Sequence, residues 1–138
     1  MTTEHRFGTA INCIDGRVQQ PVAEWIKKNH QVDFVDMVTE PGPDKALATG
    51  DARLRDALRA KVQVSINAHH SRVVAIAGHH NCAANPASRE EHQAQVRQGA
   101  RLIASWGLPV RVVGLWVGPD WKAEAVVSLA SEGGAGTP

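Results

Sequence analysis

Apolar residues in this chain gather into short β-branched runs separated by stretches with helical spacing. The most continuous run is Val73 to Cys82, VVAIAGHHNC, and its unbroken apolar start from Arg72 to Gly78 suits a strand covered on both faces. Phe7 to Cys13 reads as the first strand, with Gly8 allowing close packing. Val32 to Val38 reads as the second, alternating Val32, Phe34 and Asp36 against Asp33, Val35 and Met37. Val110 to Val117 is the next strand. Gly118-Pro119-Asp120 then turns the chain, and Glu124 to Leu129 returns as an additional edge strand.

Between these runs the period changes. The Gln19-Gln20-Pro21 step is expected to open a helix, because proline is tolerated at the first helical position. Val22, Trp25 and Ile26 supply its inner face, and Asn29 and His30 end it. Thr39 to Gly50 holds two prolines and two glycines and is expected to be loop for much of its length. From Asp51 to about His70, Leu54, Leu58, Val62 and Ile66 recur every four residues, a helical pattern, although Val62, Val64 and Ile66 also fit a strand alternation. Ser88-Arg89-Glu90-Glu91 is a capping box that announces a helix running to about Trp106, stopped by Gly107. The order βαβ(loop)αβαβ implies an α/β fold: one parallel sheet, order 2-1-3-4, with helices on both faces and right-handed crossovers. The domain is expected to span residues 7–131, with flexible ends at 1–6 and 132–138.

Length and composition narrow the function classes. A chain of 138 residues with 43% apolar and 21% charged residues is one ordinary globular domain. The formal net charge is +1 and no basic run occurs, so nucleic acid and acidic membrane surfaces are poor default partners. The polar opening MTTEHR is followed by no hydrophobic signal core, and no segment approaches the roughly 18 apolar residues of a membrane span, so a cytoplasmic location is expected.

In a reducing compartment, two cysteines are more often ligands, catalytic groups or inert core residues than a disulfide. Both fall at strand exits. His79 and Cys82 stand in an H-x-x-C spacing that lets one turn offer an imidazole nitrogen and a thiolate to a tetrahedral metal, and Cys13 leaves the neighbouring strand. Strand order 2-1-3-4 would set Cys13 beside that turn at the carboxyl edge, where ligands of open α/β sheets bind. Three protein ligands leave a fourth position for water, whose pKa zinc can bring from 15.7 to about 7. Asp15 and Arg17 follow Cys13 and are expected in the same strand-exit turn. A carboxylate there can accept the proton of such a water, and a guanidinium can grip that carboxylate and keep it off the metal. If Arg17 lets go, Asp15 can itself take the fourth position.

Cys13-Ile14-Asp15-Gly16-Arg17 and His79-His80-Asn81-Cys82 resemble the paired C-x-D-x-R and H-x-x-C signatures of the β-class carbonic anhydrases, and the likeness in pattern runs over about residues 7 to 130. The resemblance implies zinc held by Cys13, His79 and Cys82, with an Asp15–Arg17 dyad. It further implies reversible hydration of carbon dioxide to bicarbonate by a zinc-bound hydroxide, and an obligate homodimer or higher homo-oligomer with the active site near the subunit interface. The chain departs from the family pattern at Gly16, where serine is usual, and at Ala83, where glycine is usual. It departs again at Thr39 to Asp44, where an Arg-Asn-Ala-Gly-Asn-like segment usually lines the pocket. The long N-terminal helical extension typical of members is not seen in this sequence.

Other readings stand beside these. Cys13 and Cys82 as buried thiols or a disulfide is one alternative, and Asp15 with Arg17 as a plain strand-end ion pair is another. His80 competes with His79 as ligand, with spacing favouring His79. His5, His30, His69, His70 and His92 read as solvated groups or groups behind the ligands, and the Glu40 to Asp44 loop as a connection that could line the site mouth. Trp25, Trp106, Trp116 and Trp121 read as core or interface packing. Substrate walls are expected near Phe34, Val38 or a partner chain. Two rival functions share the same ligands: a zinc hydrolase of carbonyl sulfide or carbon disulfide, and a catalytically silent zinc-binding homologue.

Overall fold

The computed structural model describes residues 5–130; the expected tail at 132–138 lies outside them. The elements are β1 (Phe7–Asn12), α1 (Gly16–His30), β2 (Phe34–Thr39), α2 (Pro43–Thr49), α3 (Ala52–His69), β3 (Val73–His79), α4 (Arg89–Ala104), β4 (Arg111–Val117) and β5 (Ala123–Ala130). They build a sheet of order β2-β1-β3-β4-β5, parallel through β4, with β5 antiparallel on the far edge. This is the expected α/β architecture, with the additional edge strand in place.

The unbroken apolar run marks the strand at the centre of the sheet, and β3 is buried at every position. Its alternate residues face different layers. Val74 and Ile76 join Ile11 and Val112 against Leu47 of α2, Leu58 and Val62 of α3, and Val96 and Ile103 of α4. Val73, Ala75 and Ala77 join Ala10, Val113 and Leu115 against Val18, Val22 and Ile26 of α1, which recur every fourth residue. Gly8 packs as its sequence position implied: a Cβ there would stand 2.9 Å from Val73 Cγ1, so β1 tolerates no side chain at that point.

Two helices differ from the sequence pattern. The first begins at Gly16, five residues before Pro21, because the Asp15 carboxylate caps it by accepting from Arg17 N. Pro21 therefore lies inside α1, where its missing N–H leaves the Arg17 carbonyl without the usual backbone donor. The expected loop at 39–50 contains α2. Gly42, left-handed at φ 55°, turns the chain, and Pro43 opens the helix at a position where no N–H is needed. Proline here starts a helix; the Asp-Lys-Ala-Leu-Ala run after it was the overlooked signal.

The ambiguous stretch at 62–66 is helix. Asp51 caps α3 through Leu54 N, and Val64 points to solvent at 65% exposure while Val62 and Ile66 are buried. Ser65 Oγ donates to Asp36 Oδ2 at 2.7 Å and lies 2.6 Å from Thr9 Oγ1, which pins α3 to β1 and β2. The Ser88 capping box forms as read, and Gly107 at φ 72° follows the end of α4.

Candidate metal centre

Parallel strands deliver their exits to one edge, and β1 and β3 are hydrogen-bonded neighbours there, Ile11 opposite Ile76. Cys13 follows the last residue of β1, His79 is the last residue of β3, and Cys82 closes the turn after it. The ligand atoms of these three buried residues lie within 4.8 Å of one another. His80 is exposed, so the choice between the two histidines falls to His79. Neither cysteine is in a disulfide.

The chemistry of the donor set fits a metal ion. His79 Nδ1 donates to the His80 carbonyl at 2.8 Å, and since a carbonyl only accepts, Nδ1 carries the ring proton. Nε2 is then a bare lone pair, buried and without a hydrogen-bond partner. Orientation by a backbone carbonyl through one ring nitrogen is the usual arrangement of a metal-binding imidazole. Burial, and then the neighbouring Cys13, push the Cys82 thiol upward, so the thiolate form is favoured here only beside a cation. Soft thiolate and imidazole donors select metals of the zinc kind.

Asp15 and Arg17 stand at the start of α1, where the cap and the second helical residue replace the expected turn. Asp15 Oδ1 accepts from Arg17 N at 2.9 Å and from Arg17 Nε at 3.0 Å, while Oδ2 accepts from Nη2 at 2.7 Å. These side-chain bonds, then the backbone bond, hold the Asp15 carboxyl down at about 2. Arg17 is in turn held from outside the motif. Its guanidinium carbon lies 4.4 Å from the centroid of the Trp121 ring, and Nη2 reaches the Asn81 carbonyl at 3.4 Å. Asn81 and Trp121 are both left-handed, at φ 60° and 57°, so both turns bordering the site carry non-glycine residues in a strained conformation. Gln19 Nε2 donates to the Cys13 carbonyl at 3.2 Å and steadies the other end of the motif.

The departures from the family pattern have local explanations. A Cβ at Gly16 would meet nothing within 4 Å, so the position accepts either residue. In the turn after β3 the left-handed residue is Asn81, and Ala83 keeps negative φ, so no glycine is required there. The segment after β2 does not run past the site as a loop. Gly42 presses on the turn after Cys82, where a Cβ would come 3.1 Å from Asn85 Cβ and 3.4 Å from the Ala84 carbonyl.

His92 is 1% exposed and is hydrogen-bonded to Asp44, which is equally buried, so of its two expected placements the solvated one is excluded. One further expectation is corrected. Phe34 pairs with Phe7 at the opposite end of the sheet from Cys13 and cannot wall the site, whereas Val38 lies near the correct end. Ile14, between Cys13 and Asp15 in sequence, is an apolar side chain left 60% exposed. Trp121 is more than packing, since it faces Arg17, and Asp44, Asn85 and Asn81 carry no sequence signal beyond their place near a turn.

A family model described as "Putative carbonic anhydrase" matches residues 3–127. A search of the curated proteins finds no match. Among solved structures, the chain is similar to one of two tetrameric β-carbonic anhydrases from the filamentous ascomycete Sordaria macrospora. The TM-score is 0.59 at 12% identity, over 92% of this chain and 84% of that one, a likeness of fold. Because the family model spans both motifs and the whole parallel sheet that brings them together, this chain belongs to the carbonic anhydrase family it describes, as a divergent member with the β-class fold.

Proposed function

We propose that the protein is a zinc-dependent lyase that hydrates carbon dioxide reversibly to bicarbonate, with Cys13, His79 and Cys82 as metal ligands and Asp15 and Arg17 as catalytic residues. The observation that carries this reading is a buried Cys13, His79 and Cys82 cluster whose ligand atoms lie within 4.8 Å of one another, with His79 Nε2 buried and unpartnered, beside a carboxylate gripped on both oxygens. Bound zinc supplies Lewis acidity that brings a water toward a pKa of about 7.

The chain's own residues do the rest. Asp15, held at about 2, stays ionised at neutral pH, so it orients a water by accepting a hydrogen bond and does not store the proton that water loses. Its Oδ2 receives one bond from Arg17 and keeps a lone pair for that purpose. The released proton goes to solvent, which the exposed rim of the site permits. Arg17 keeps the carboxylate turned away from the metal position, the open arrangement. Ile14 offers an apolar surface at the mouth, suited to an uncharged linear substrate.

Assembly as a homo-oligomer belongs to the same proposal. Among the described residues β2 is an unpaired edge of the sheet, and Phe34 at 46%, Met37 at 36% and Val64 at 65% exposure lie on it or beside it. The solved relative in Sordaria macrospora is tetrameric. Among the described residues no helix is long and apolar enough to cross a membrane; two reduced cysteines in one ligand set favour the cytoplasm.

Metal analysis followed by stopped-flow carbon dioxide hydration tests the reading. The expected result is about one zinc per chain and rapid proton release, both lost in Cys82→Ser. Zinc without turnover of carbon dioxide, but with sulfide evolved from carbonyl sulfide or carbon disulfide, would move the protein to the hydrolase. Zinc with neither activity would make it a silent homologue.

A further inference from the structure

Asp44 and His92 are a buried titratable pair that the proposed reaction does not use, each 1% exposed. His92 Nδ1 and Asp44 Oδ2 share a hydrogen bond of 2.5 Å, and Asn85, 3% exposed, donates from Nδ2 to Asp44 Oδ1 at 3.1 Å and to Gln95 Oε1 at 2.7 Å. Both amide protons of Asn85 are thereby spent, so its 3.4 Å approach to His92 Nδ1 is contact and no hydrogen bond. Both oxygens of Asp44 are satisfied from opposite sides. The carboxylate fits only because residue 78 is glycine, where a Cβ would stand 2.5 Å from Asp44 Oδ2, and Gly78 immediately precedes His79. The His92 ring lies 5.3 Å from the Trp116 ring of β4. One polar cluster thus joins α2, α4 and the turn after Cys82 at the exit of β3.

That turn is where the cluster meets the ligands. Asn85 N donates to the Cys82 carbonyl at 3.3 Å, which closes the turn onto the ligand. Fixing the Asn85 side chain therefore fixes the backbone that orients the sulfur. An apolar cluster of equal volume would stabilise the same packing as well or better, since exchanging buried polar partners for apolar groups of the same shape is near neutral or stabilising. What the polar cluster adds is a defined position.

We propose that Asp44, Asn85 and His92, with Gln95, form a positioning latch for Cys82. The latch sets the direction of its sulfur toward Cys13 and His79 and so sets metal affinity. The proposal rests on the metal reading of the site but not on which reaction is catalysed. Groups behind metal ligands commonly govern affinity by ten- to a hundredfold.

The test is zinc affinity of the full chain by chelator competition, together with the sulfur-to-metal absorption of the cobalt(II)-loaded protein. Asn85→Ala is expected to weaken zinc by about ten- to a hundredfold and to shift the cobalt–thiolate band, with the far-ultraviolet circular dichroism of the metal-free protein unchanged. Gln95→Leu, at the partly exposed end of the cluster, is expected to give a smaller loss in the same direction and replaces Asn85→Ala if that variant does not fold. Ser65→Ala removes a buried hydrogen bond beside β1 and β2 and is expected to lower the melting temperature without changing zinc affinity. Zinc affinity within about twofold of wild type, with an unshifted cobalt band, would reduce the cluster to packing and overturn the latch. Wild-type protein that binds no zinc overturns the metal reading and the latch with it. Wild-type protein that binds zinc but hydrates no carbon dioxide overturns only the lyase, and the affinity comparison still decides the latch.

Discussion

The guanidinium of Arg17 is stacked on the indole of Trp121, 4.4 Å from its ring centroid, so a residue at the β4–β5 turn holds the arginine that holds Asp15. The turn places the indole there by adopting a left-handed backbone at Trp121, closed by a 2.9 Å bond from Trp121 N to the Gly118 carbonyl. A flat aromatic face confines a planar cation without competing for its hydrogen-bond donors, which remain available to the carboxylate.

Trp121→Ala is expected to lower carbon dioxide hydration several-fold with zinc content unchanged, because Arg17 loses a wall but keeps its bonds to Asp15. Trp121→Phe, which restores a ring, is expected to recover part of the loss. Stopped-flow rates paired with metal analysis check this; equal rates in all three proteins would remove Trp121 from the site.

Asp15 caps α1 and, in the proposed reaction, orients a water, and one substitution separates the two. Asparagine caps helices about as well as aspartate, whereas alanine forfeits about 1 kcal/mol. Asp15→Asn is therefore expected to keep the melting temperature of wild type and to lose most of its turnover, since the ionised acceptor is gone. Asp15→Ala is expected to lose turnover and to melt several degrees lower. Thermal unfolding beside turnover distinguishes cap from catalyst.

His30 predicts how stability depends on pH. Burial first, and then the charge of Arg111, lower its pKa below the ordinary 6.5 in the folded protein. A base that binds its proton less readily when folded contributes stability that is complete above 6.5 and declines as the pH falls below it. Wild type is expected to melt at a lower temperature at pH 5.5 than at 7.5, and His30→Gln to show a smaller difference between the two.

The free edge at β2 predicts the assembly state. Met37→Lys places a charge on an exposed apolar position of that edge, where burial against another chain would leave it unpaired. Sedimentation is expected to show an oligomer for wild type and a smaller species for the variant; wild type sedimenting as a monomer would exclude oligomerisation.

What the linear pattern carried, and what it did not, follows from the range of the interactions involved. The parallel strands, the helices at 52–69 and 89–104, and both candidate ligand motifs are legible because each depends on local periodicity or on spacing within one turn. The β1–β3 pairing then follows from right-handed parallel crossovers. The start of α1 was misjudged because Pro21 is a strong local signal and the Asp15 cap a weaker one. The helix at 43–49 was hidden by the prolines and glycines around it, although Pro43 in fact begins it.

The residues that surround the motifs were beyond the reach of pattern. Trp121 meets Arg17 across more than a hundred positions of sequence, and Asp44 meets His92 across 48. No periodicity encodes such pairs. The sequence by itself named the candidate ligands and the strands that carry them, since those follow from residue type and neighbouring spacing. Only the tertiary structure decided which buried carboxylate lies under Gly78, which ring covers Arg17, and that His79 is gathered with the two cysteines. Those relations exist only once the sheet has brought distant exits to the same edge.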